Sequence, residues 1–432
     1  MLKSKISVIG LGKLGTPLLA CFASRGHEVI GVDLNPDFVN LINQGKSPVS
    51  EPGIPTLLRK NKKRIKATQA YKEAILNSNF TFIIVPTPSS KDGRFLNSYV
   101  KAAGKEIGKA LKEKQGFHLV SLVSTVSPGA TESELLPILE KYSGKKAGKG
   151  FGLCYNPTFI ALGSAIFTIL YPDFILIGEQ EKKSGNLLEK FYQALCPTHP
   201  PIKRMATINA EITKIALNTY VTTKISYANM LAQLCERTPE GDVDAVTGAL
   251  GCDSRIGSKY LKGALGYGGP CFPRDNRALL SYGRGLGIPL PLAEATDKIN
   301  QKQIPNLIRK IVSLLSKKGK VGILGLSYKP DTDVIEESQS LLLAKALLRC
   351  RIPVIAYDPR ALENTRKVLE NKIIFASSAR ECVRRADIIV LATPWPEFRK
   401  IKKIDFKNKK LIDCWRFWGK PKQKQHLALG IN

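Results

Sequence analysis

The stretch that most constrains this chain is its beginning. Lys5-Ile6-Ser7-Val8-Ile9 has the β-branched, apolar character of a buried strand and stops at Gly10. Gly10, Gly12 and Gly15 then follow at G-x-G-x-x-G spacing, Lys13 to Arg25 reads as a helix, and Glu28 to Asp33 reads as a second strand that ends in a carboxylate. Three glycines at that spacing are weak evidence alone. Placed between two strands, with a helix opening on them and an acid 18 positions after Gly15, they define a βαβ unit that receives a dinucleotide. The glycines permit a tight turn and let a pyrophosphate approach the helix N-terminus, where free amides and the helix dipole attract an anion. Asp33 is placed to accept the ribose hydroxyls, which favours NAD over NADP.

Further strands are predicted at Phe80–Val85 and Leu119–Ser124, followed by Pro86-Thr87-Pro88 and by Thr125-Val126-Ser127-Pro128-Gly129. Ligands of a doubly wound sheet lie beyond the carboxyl ends of its strands, so these loops are expected to line the nicotinamide half of the site. From Arg204 to Glu236 the residues Ile208, Ile212, Ile215, Tyr220, Ile225, Ala228, Leu231 and Leu234 recur at near-helical spacing, with no proline before Pro239. That is one long helix, and Lys214 and Asn218 project from one face of it at i and i+4. A second α/β pattern starts at Lys320–Leu326, with a helix over Ser338–Cys350 and strands at Val354–Asp358, Asp387–Ala392 and Leu411–Asp413. It has no complete G-x-G-x-x-G, so a different nucleotide is expected there. The fold class is α/β: two Rossmann-like, doubly wound domains joined by a long central helix and a small helical middle domain. The expected boundaries are 1–200, 201–300 and 301–432.

The run Gly266-Tyr267-Gly268-Gly269-Pro270-Cys271-Phe272-Pro273-Arg274-Asp275 places one thiol at a bend, with a cation and a carboxylate within four positions. Glycine before the cysteine frees the backbone and leaves room for a ligand. A thiol with its ordinary pKa of about 8.5 is only a few per cent ionised at neutral pH, so a catalytic one needs a neighbouring cation or base. A glycine-proline turn with an incidental cysteine is the competing reading of the run by itself.

Composition excludes several classes. The nine cysteines are odd in number and scattered without C-x-x-C or Cys/His clustering, against a disulfide framework and a structural metal site. No apolar run approaches the roughly 18 residues that span a bilayer, so no membrane partner is expected. Met1-Leu2-Lys3-Ser4-Lys5 runs straight into a strand with no leader pattern, and cytoplasm is the expected location. The net charge of +30 would suit nucleic acid or an anionic substrate. The basic residues are spread along the chain, densest from Arg399 to Lys424, and no nucleic-acid-binding motif accompanies them. Specific nucleic-acid binding is therefore not expected.

Taken together these motifs resemble the UDP-glucose/GDP-mannose dehydrogenase family, over nearly the whole chain. The resemblance rests on Gly10-Leu11-Gly12-Lys13-Leu14-Gly15, Val85-Pro86-Thr87-Pro88, Ser124-Thr125-Val126, Tyr155-Asn156-Pro157, and Lys214 with Asn218. It continues through Asp253-Ser254-Arg255-Ile256-Gly257, the Cys271 run, Tyr328-Lys329-Pro330-Asp331-Thr332-Asp333 and Tyr357-Asp358-Pro359. Within the family the Cys271 run is similar to that of UDP-glucose 6-dehydrogenases. The resemblance implies two successive NAD-dependent oxidations that take a sugar primary alcohol to a carboxylate, through a thiohemiacetal and a thioester on Cys271. It implies that Lys214 and Asn218 steady oxyanions and that Asp275 and Thr125 organise protons and the hydrolytic water. Cofactor contacts are implied for Gly10, Gly12, Lys13, Leu14, Gly15, Asp33, Pro86, Thr87, Ser124, Thr125 and Arg274. Nucleotide-sugar contacts are implied for Thr158, Phe159, Ile160, Lys214, Asn218, Lys262, Tyr267, Gly268, Tyr328, Lys329 and Arg416, and for Arg255 from a neighbouring subunit of a homodimer or larger homo-oligomer. On this reading the first domain holds NAD, the middle one dimerises and carries Cys271, and the last binds the nucleotide sugar.

Two departures stand out. The family usually has Asn-Pro-Glu-Phe-Leu-x-Glu-Gly, where this chain has Asn156-Pro157-Thr158-Phe159-Ile160-Ala161-Leu162-Gly163, without either glutamate. The family's Asp-Asp-x-Arg-Glu-Ser is here Asp333-Val334-Ile335-Glu336-Glu337-Ser338, with a glutamate for the arginine. A catalytically weakened member that binds nucleotide sugar, or scaffolds polysaccharide synthesis, is the alternative to an active enzyme.

Overall fold

The computed structural model describes residues 4–421 and 425–432. Met1 to Lys3, part of the start read for a leader, and residues 422–424 of the basic run lie outside the described residues. Two compact units form, Met1–Ile215 and Ala216–Asn432.

The first unit is an eight-stranded sheet of β1 (Lys5–Ile9), β2 (Glu28–Val32), β3 (Ile65–Thr68), β4 (Phe80–Ile83), β5 (His118–Leu122), β6 (Phe151–Tyr155), β7 (Ile175–Glu179) and β8 (Ile202–Ala206). Their spatial order is β3-β2-β1-β4-β5-β6-β7-β8, parallel except between β6 and β7. The first six strands have the dinucleotide-binding order, and the chain reverses its winding between β1 and β4. Both faces of this sheet are covered, which is why β1 is buried beyond Lys5 and β5 throughout. Ile6 and Val8 pack on one face with Phe22, Phe82 and Leu188. Ile9 packs on the other with Ile83, Ile107, Leu111 and Leu122. β8 pairs along its length with β7, so the sheet runs past the expected boundary at residue 200.

The second unit holds a six-stranded, all-parallel sheet of β9 (Val321–Leu324), β10 (Val354–Tyr357), β11 (Ile374–Phe375), β12 (Ile388–Leu391), β13 (Lys410–Asp413) and β14 (His426–Ala428). Its order is β11-β10-β9-β12-β13-β14, the same winding as in the first sheet. The two sheets also share a local device. Gly10 donates its amide to the Val32 carbonyl (2.7 Å), and Gly325 donates to the Tyr357 carbonyl (2.8 Å). The next amide in each case, Leu11 or Leu326, donates to the carboxylate that ends the second strand, Asp33 or Asp358, at 2.7 Å. The acids then differ. Asp33 is half-buried, whereas Asp358 is fully buried and also accepts from the Ser327 amide and hydroxyl and the Trp395 indole. With its oxygens turned inward, Asp358 is spent on the fold, and only Asp33 is left for a ribose.

The helix Thr207–Cys235 begins in the first unit and continues into the second, which adds helices at Val243–Cys252, Phe272–Gly285 and Pro291–Leu314 before β9.

Candidate active site

In the first unit the three motif glycines have three different reasons to be glycine. Gly10 has φ +98°, and a Cβ there would stand 2.6 Å from the Ile84 carbonyl oxygen. A Cβ on Gly15 would stand 1.8 Å from the Gly10 carbonyl oxygen, so only glycine lets the helix Gly15–Ser24 sit this close to the strand end. A Cβ on Gly12 would meet no atom within 4 Å. The fold therefore accounts for Gly10 and Gly15, and leaves the space at Gly12 open to a ligand that approaches the backbone. The helix opens at Leu14 without a side-chain cap and has no acid in its first turn, which leaves its amides to an anion. Lys13 is exposed and Leu14 half-buried beside it. Asp33 accepts from the Leu11 amide through one oxygen and from the Asn35 amide (2.9 Å) through the other, which aims the carboxylate and leaves lone pairs for ribose hydroxyls. Ser124 donates to the Val85 carbonyl (2.7 Å) and Thr87 to the Thr125 carbonyl (2.8 Å), tying together the loops after β4 and β5. Pro86 stays exposed at the loop surface. These residues fit NAD.

The loop after β6 is held from two directions. Lys214, 7% exposed, donates through Nζ to the Thr158 carbonyl at 2.9 Å and lies 4.6 Å from the Phe159 ring centroid. Phe159 in turn packs against Phe174, and Thr158 and Ile160 are half-buried. Two buried glutamates were not anticipated from sequence. Glu51 accepts from the amides of Gly163 (2.9 Å) and Ala165 (2.8 Å) and so fixes the far end of the Thr158–Gly163 loop. Glu211 accepts from the loop after β5. The one available signal was Glu211 itself, an acid three residues before Lys214 on a helix face otherwise marked by isoleucines.

In the second unit Cys271 is exposed and occupies the N-cap of the helix Phe272–Gly285, with Pro273 in its first turn. Asp275, fully buried, donates its amide to the Cys271 carbonyl (2.8 Å). Its carboxylate accepts from the Asn218 side-chain amide at 2.6 Å and from Arg274 Nε at 3.1 Å. Cys271, Arg274, Asp275 and Asn218 are thus brought together, and Asn218 spends a donor on Asp275.

The glycines before the cysteine work otherwise than the sequence led one to expect. A Cβ would come 2.2 Å from Asn300 Oδ1 at Gly266, 2.3 Å from the Glu337 carbonyl oxygen at Gly268, and 2.6 Å from the Tyr328 ring at Gly269. Protein atoms fill the room that had been assigned to a ligand. Tyr328 accordingly packs on the Cys271 turn, with Lys329 Nζ 5.7 Å from its ring. Two expected substrate contacts are committed elsewhere. Tyr267 is 4% exposed and its phenol donates to Asp297 (3.2 Å); burial and then that carboxylate push its pKa well up. Arg416, 8% exposed, holds Asp244 through Nε (2.7 Å) and Nη2 (2.9 Å) and the Leu429 carbonyl through Nη1 (2.7 Å). Both serve the fold here. Arg255 is exposed and paired with Asp253 at 2.6 Å, and Lys262 is exposed.

A doubly wound sheet with this cradle in the first unit, and a thiol presented at a helix N-terminus in the second, define an NAD-dependent oxidoreductase. Comparison with known proteins refines that class. Family models match along the chain: the NAD-binding domain of the UDP-glucose/GDP-mannose dehydrogenase family at residues 4–196, its central domain at 208–302 and its UDP-binding domain at 322–420. The chain is 37% identical over 398 residues to UDP-glucose 6-dehydrogenase AglM of Haloferax volcanii, covering 91% of this chain and 92% of that one. It is 34% identical over 428 residues to GDP-mannose 6-dehydrogenase of Pseudomonas aeruginosa, covering 96% and 97%. A solved UDP-glucose dehydrogenase from Pyrobaculum islandicum superposes with a TM-score of 0.93 at 30% identity, covering 100% of this chain and 98% of that one. The chain belongs to the UDP-glucose/GDP-mannose dehydrogenase family, whose members are NAD-dependent nucleotide-sugar 6-dehydrogenases.

Proposed function

We propose that this chain oxidises the C6 alcohol of a UDP-hexose, with UDP-glucose the foremost candidate, to the carboxylate, and that Cys271 is the nucleophile. One observation carries the reading. Six of the nine cysteines are buried, and of the three exposed ones only Cys271 opens a helix, while Cys252 and Cys350 end theirs. A helix N-terminus stabilises negative charge on sulfur and a C-terminus opposes it. Arg274 adds a cation in the same turn.

The chain's residues then have these roles. After the first oxidation the Cys271 sulfur adds to the aldehyde carbon, and the carbonyl oxygen takes up a proton. Loss of hydride to NAD, with the hydroxyl proton passing to a base, turns this thiohemiacetal into a thioester. Water adds to that carbonyl, the C–S bond breaks, and the acid departs as the thiolate is restored. Lys214 and Asn218 steady the oxyanions, the kind of contribution whose loss typically costs about 10²–10³-fold in rate. Asp275 and Thr125 orient water and take protons, with no carboxylate at Thr158 or Leu162 to share the work. Bound NAD supplies the hydride acceptor. UDP-glucose is put first because AglM and the Pyrobaculum enzyme bear that name.

The row Tyr220, Tyr227, Met230 and Leu234, each at least 45% exposed, repeats along the helix Thr207–Cys235 at spacings that share a face. It fits a second copy of this chain, as a homodimer with Arg255 shared between subunits requires. Among the described residues no helix is long and apolar enough to cross a membrane. A cytoplasmic, thiol-preserving setting suits a cysteine nucleophile. A mere nucleotide-sugar binder or scaffold would have no use for that thiol.

The test is NADH production with UDP-glucose, UDP-galactose, UDP-N-acetylhexosamines and GDP-mannose, counting NADH per sugar. Two NADH per UDP-glucose are expected. A preference for GDP-mannose would overturn the choice of nucleotide, and acid release by Cys271→Ala at near wild-type rate would overturn the thioester route.

A further inference from the structure

Glu211 is fully buried, yet it is an acid. It lies one turn before Lys214 on the helix Thr207–Cys235, so the two share a face. Its carboxylate accepts from the amides of Gly129 and Thr131 (2.9 Å) and from the Thr131 hydroxyl (2.6 Å). Burial raises its pKa and these three donors oppose the rise. Isolated burial of a carboxylate is costly, and only this full set of donors makes it tolerable.

The acceptor set ends a chain of contacts that starts at the cofactor loops. Thr87 bonds the Thr125 carbonyl, Ser127 accepts from the Phe95 amide (3.4 Å) and its carbonyl accepts from Ala130 (3.0 Å), and Gly129 and Thr131 reach Glu211. Gly129 takes φ +93°, a turn that glycine makes without strain and that aims its amide at Glu211. From the same helix face Lys214 grips the Thr158 carbonyl in the loop after β6. One face thus fastens the loops of two adjacent strands, β5 and β6, by an acid on one and a base on the other.

We propose that Glu211 is a positioning residue for the oxidation: it sets the loop carrying Ser124 and Thr125 in register with the helix that carries Lys214. Glu211 touches neither reactant and acts through that loop. The inference rests on the dehydrogenase reading above and adds to it a residue outside the implied site. A purely structural acid would cost stability alone. A positioning acid costs rate in enzyme that is folded and saturated, because small errors in the placement of reacting groups can cost about 10²-fold.

The experiment uses the full-length enzyme with the nucleotide sugar that it oxidises best. Glu211→Gln keeps size and one acceptor oxygen but turns a donor toward one of the loop's own donors. Thr131→Val removes only the hydroxyl donor and guards against a Glu211 variant that fails to fold. Thermal unfolding, NAD affinity, KM for the sugar, kcat, and the isotope effect on kcat with sugar deuterated at C6 are measured for each. For Glu211→Gln we expect NAD affinity and sugar KM within about threefold of wild type, kcat down at least tenfold, and a larger isotope effect as hydride transfer becomes limiting. Thr131→Val should shift kcat and isotope effect in the same direction by less. Unchanged kcat and isotope effect in Thr131→Val, or in folded Glu211→Gln, would overturn the proposal whatever the change in Tm. A wild type that reduces no NAD with any nucleotide sugar would instead overturn the functional reading, and this inference with it.

Discussion

Alanine at Gly12 and at Gly15 should have opposite effects, although the two positions belong to one motif. At Gly15 the new Cβ would sit 1.8 Å from a backbone oxygen, where ordinary contact needs at least 3.4 Å. Neither atom can rotate away, so the helix Gly15–Ser24 must lift off β1 by more than an ångström. Overpacking of this kind costs about 1–3 kcal/mol, and a backbone-on-backbone clash belongs at the upper end. For a unit of this size about 3 kcal/mol lowers Tm by roughly 6–12 °C. At Gly12 the Cβ meets nothing within 4 Å, so stability should hold, or rise by about 0.4–1 kcal/mol through the unfolded chain. What suffers is the approach of the pyrophosphate. Losing one charge-assisted hydrogen bond costs about 1.5–3 kcal/mol, or roughly 10–150-fold in NAD affinity. The assay pairs thermal unfolding without cofactor with NAD titration followed by calorimetry. Gly12→Ala that melts early, or that binds NAD as wild type does, would refute the assignment of Gly12 to the ligand.

Asp33→Ser should move the NAD/NADP ratio of kcat/KM toward NADP by at least about tenfold, since a carboxylate repels a 2′-phosphate; an unchanged ratio would show that Asp33 does not face the ribose. Arg416→Met should lower stability by about 2 kcal/mol through the loss of the Asp244 and Leu429 contacts, discounted because Asp244 is 46% exposed, with KM for the sugar unchanged; a raised KM at constant stability would return Arg416 to the substrate site. His118 is fully buried between Thr81 and the Ser78 carbonyl, and burial pushes its pKa down to about 3 from 6.5. The unfolded chain therefore takes up a proton below pH 6.5 that the folded one refuses. Its contribution is whole above pH 6.5 and is lost as pH falls toward 3, by up to a few kcal/mol. His118→Gln should flatten the Tm-against-pH curve between pH 6.5 and 4, and equal slopes in the two proteins would refute this.

Some of this protein was legible in its residues alone because the information is local. Strand, glycine turn, helix and terminal acid lie within Lys5–Asp33, and each is set by side-chain period and backbone freedom over a few residues. The same holds for β9, β10, β12 and the helix Thr207–Cys235, and for the prominence of Cys271 between Gly269 and Asp275. Other features needed the folded chain. Strands β3, β8 and β11 are short or basic edges without a strong period, and nothing local makes β7 run against β6. Glu51 and Glu211 find their amides 112 and 80 residues away, and Arg416 finds Asp244 at a separation of 172. Gly10, Gly12 and Gly15 look alike in sequence, as do Asp33 and Asp358. Only the atoms that folding brings beside them decide which glycine is free for a ligand, and which carboxylate is left to bind one.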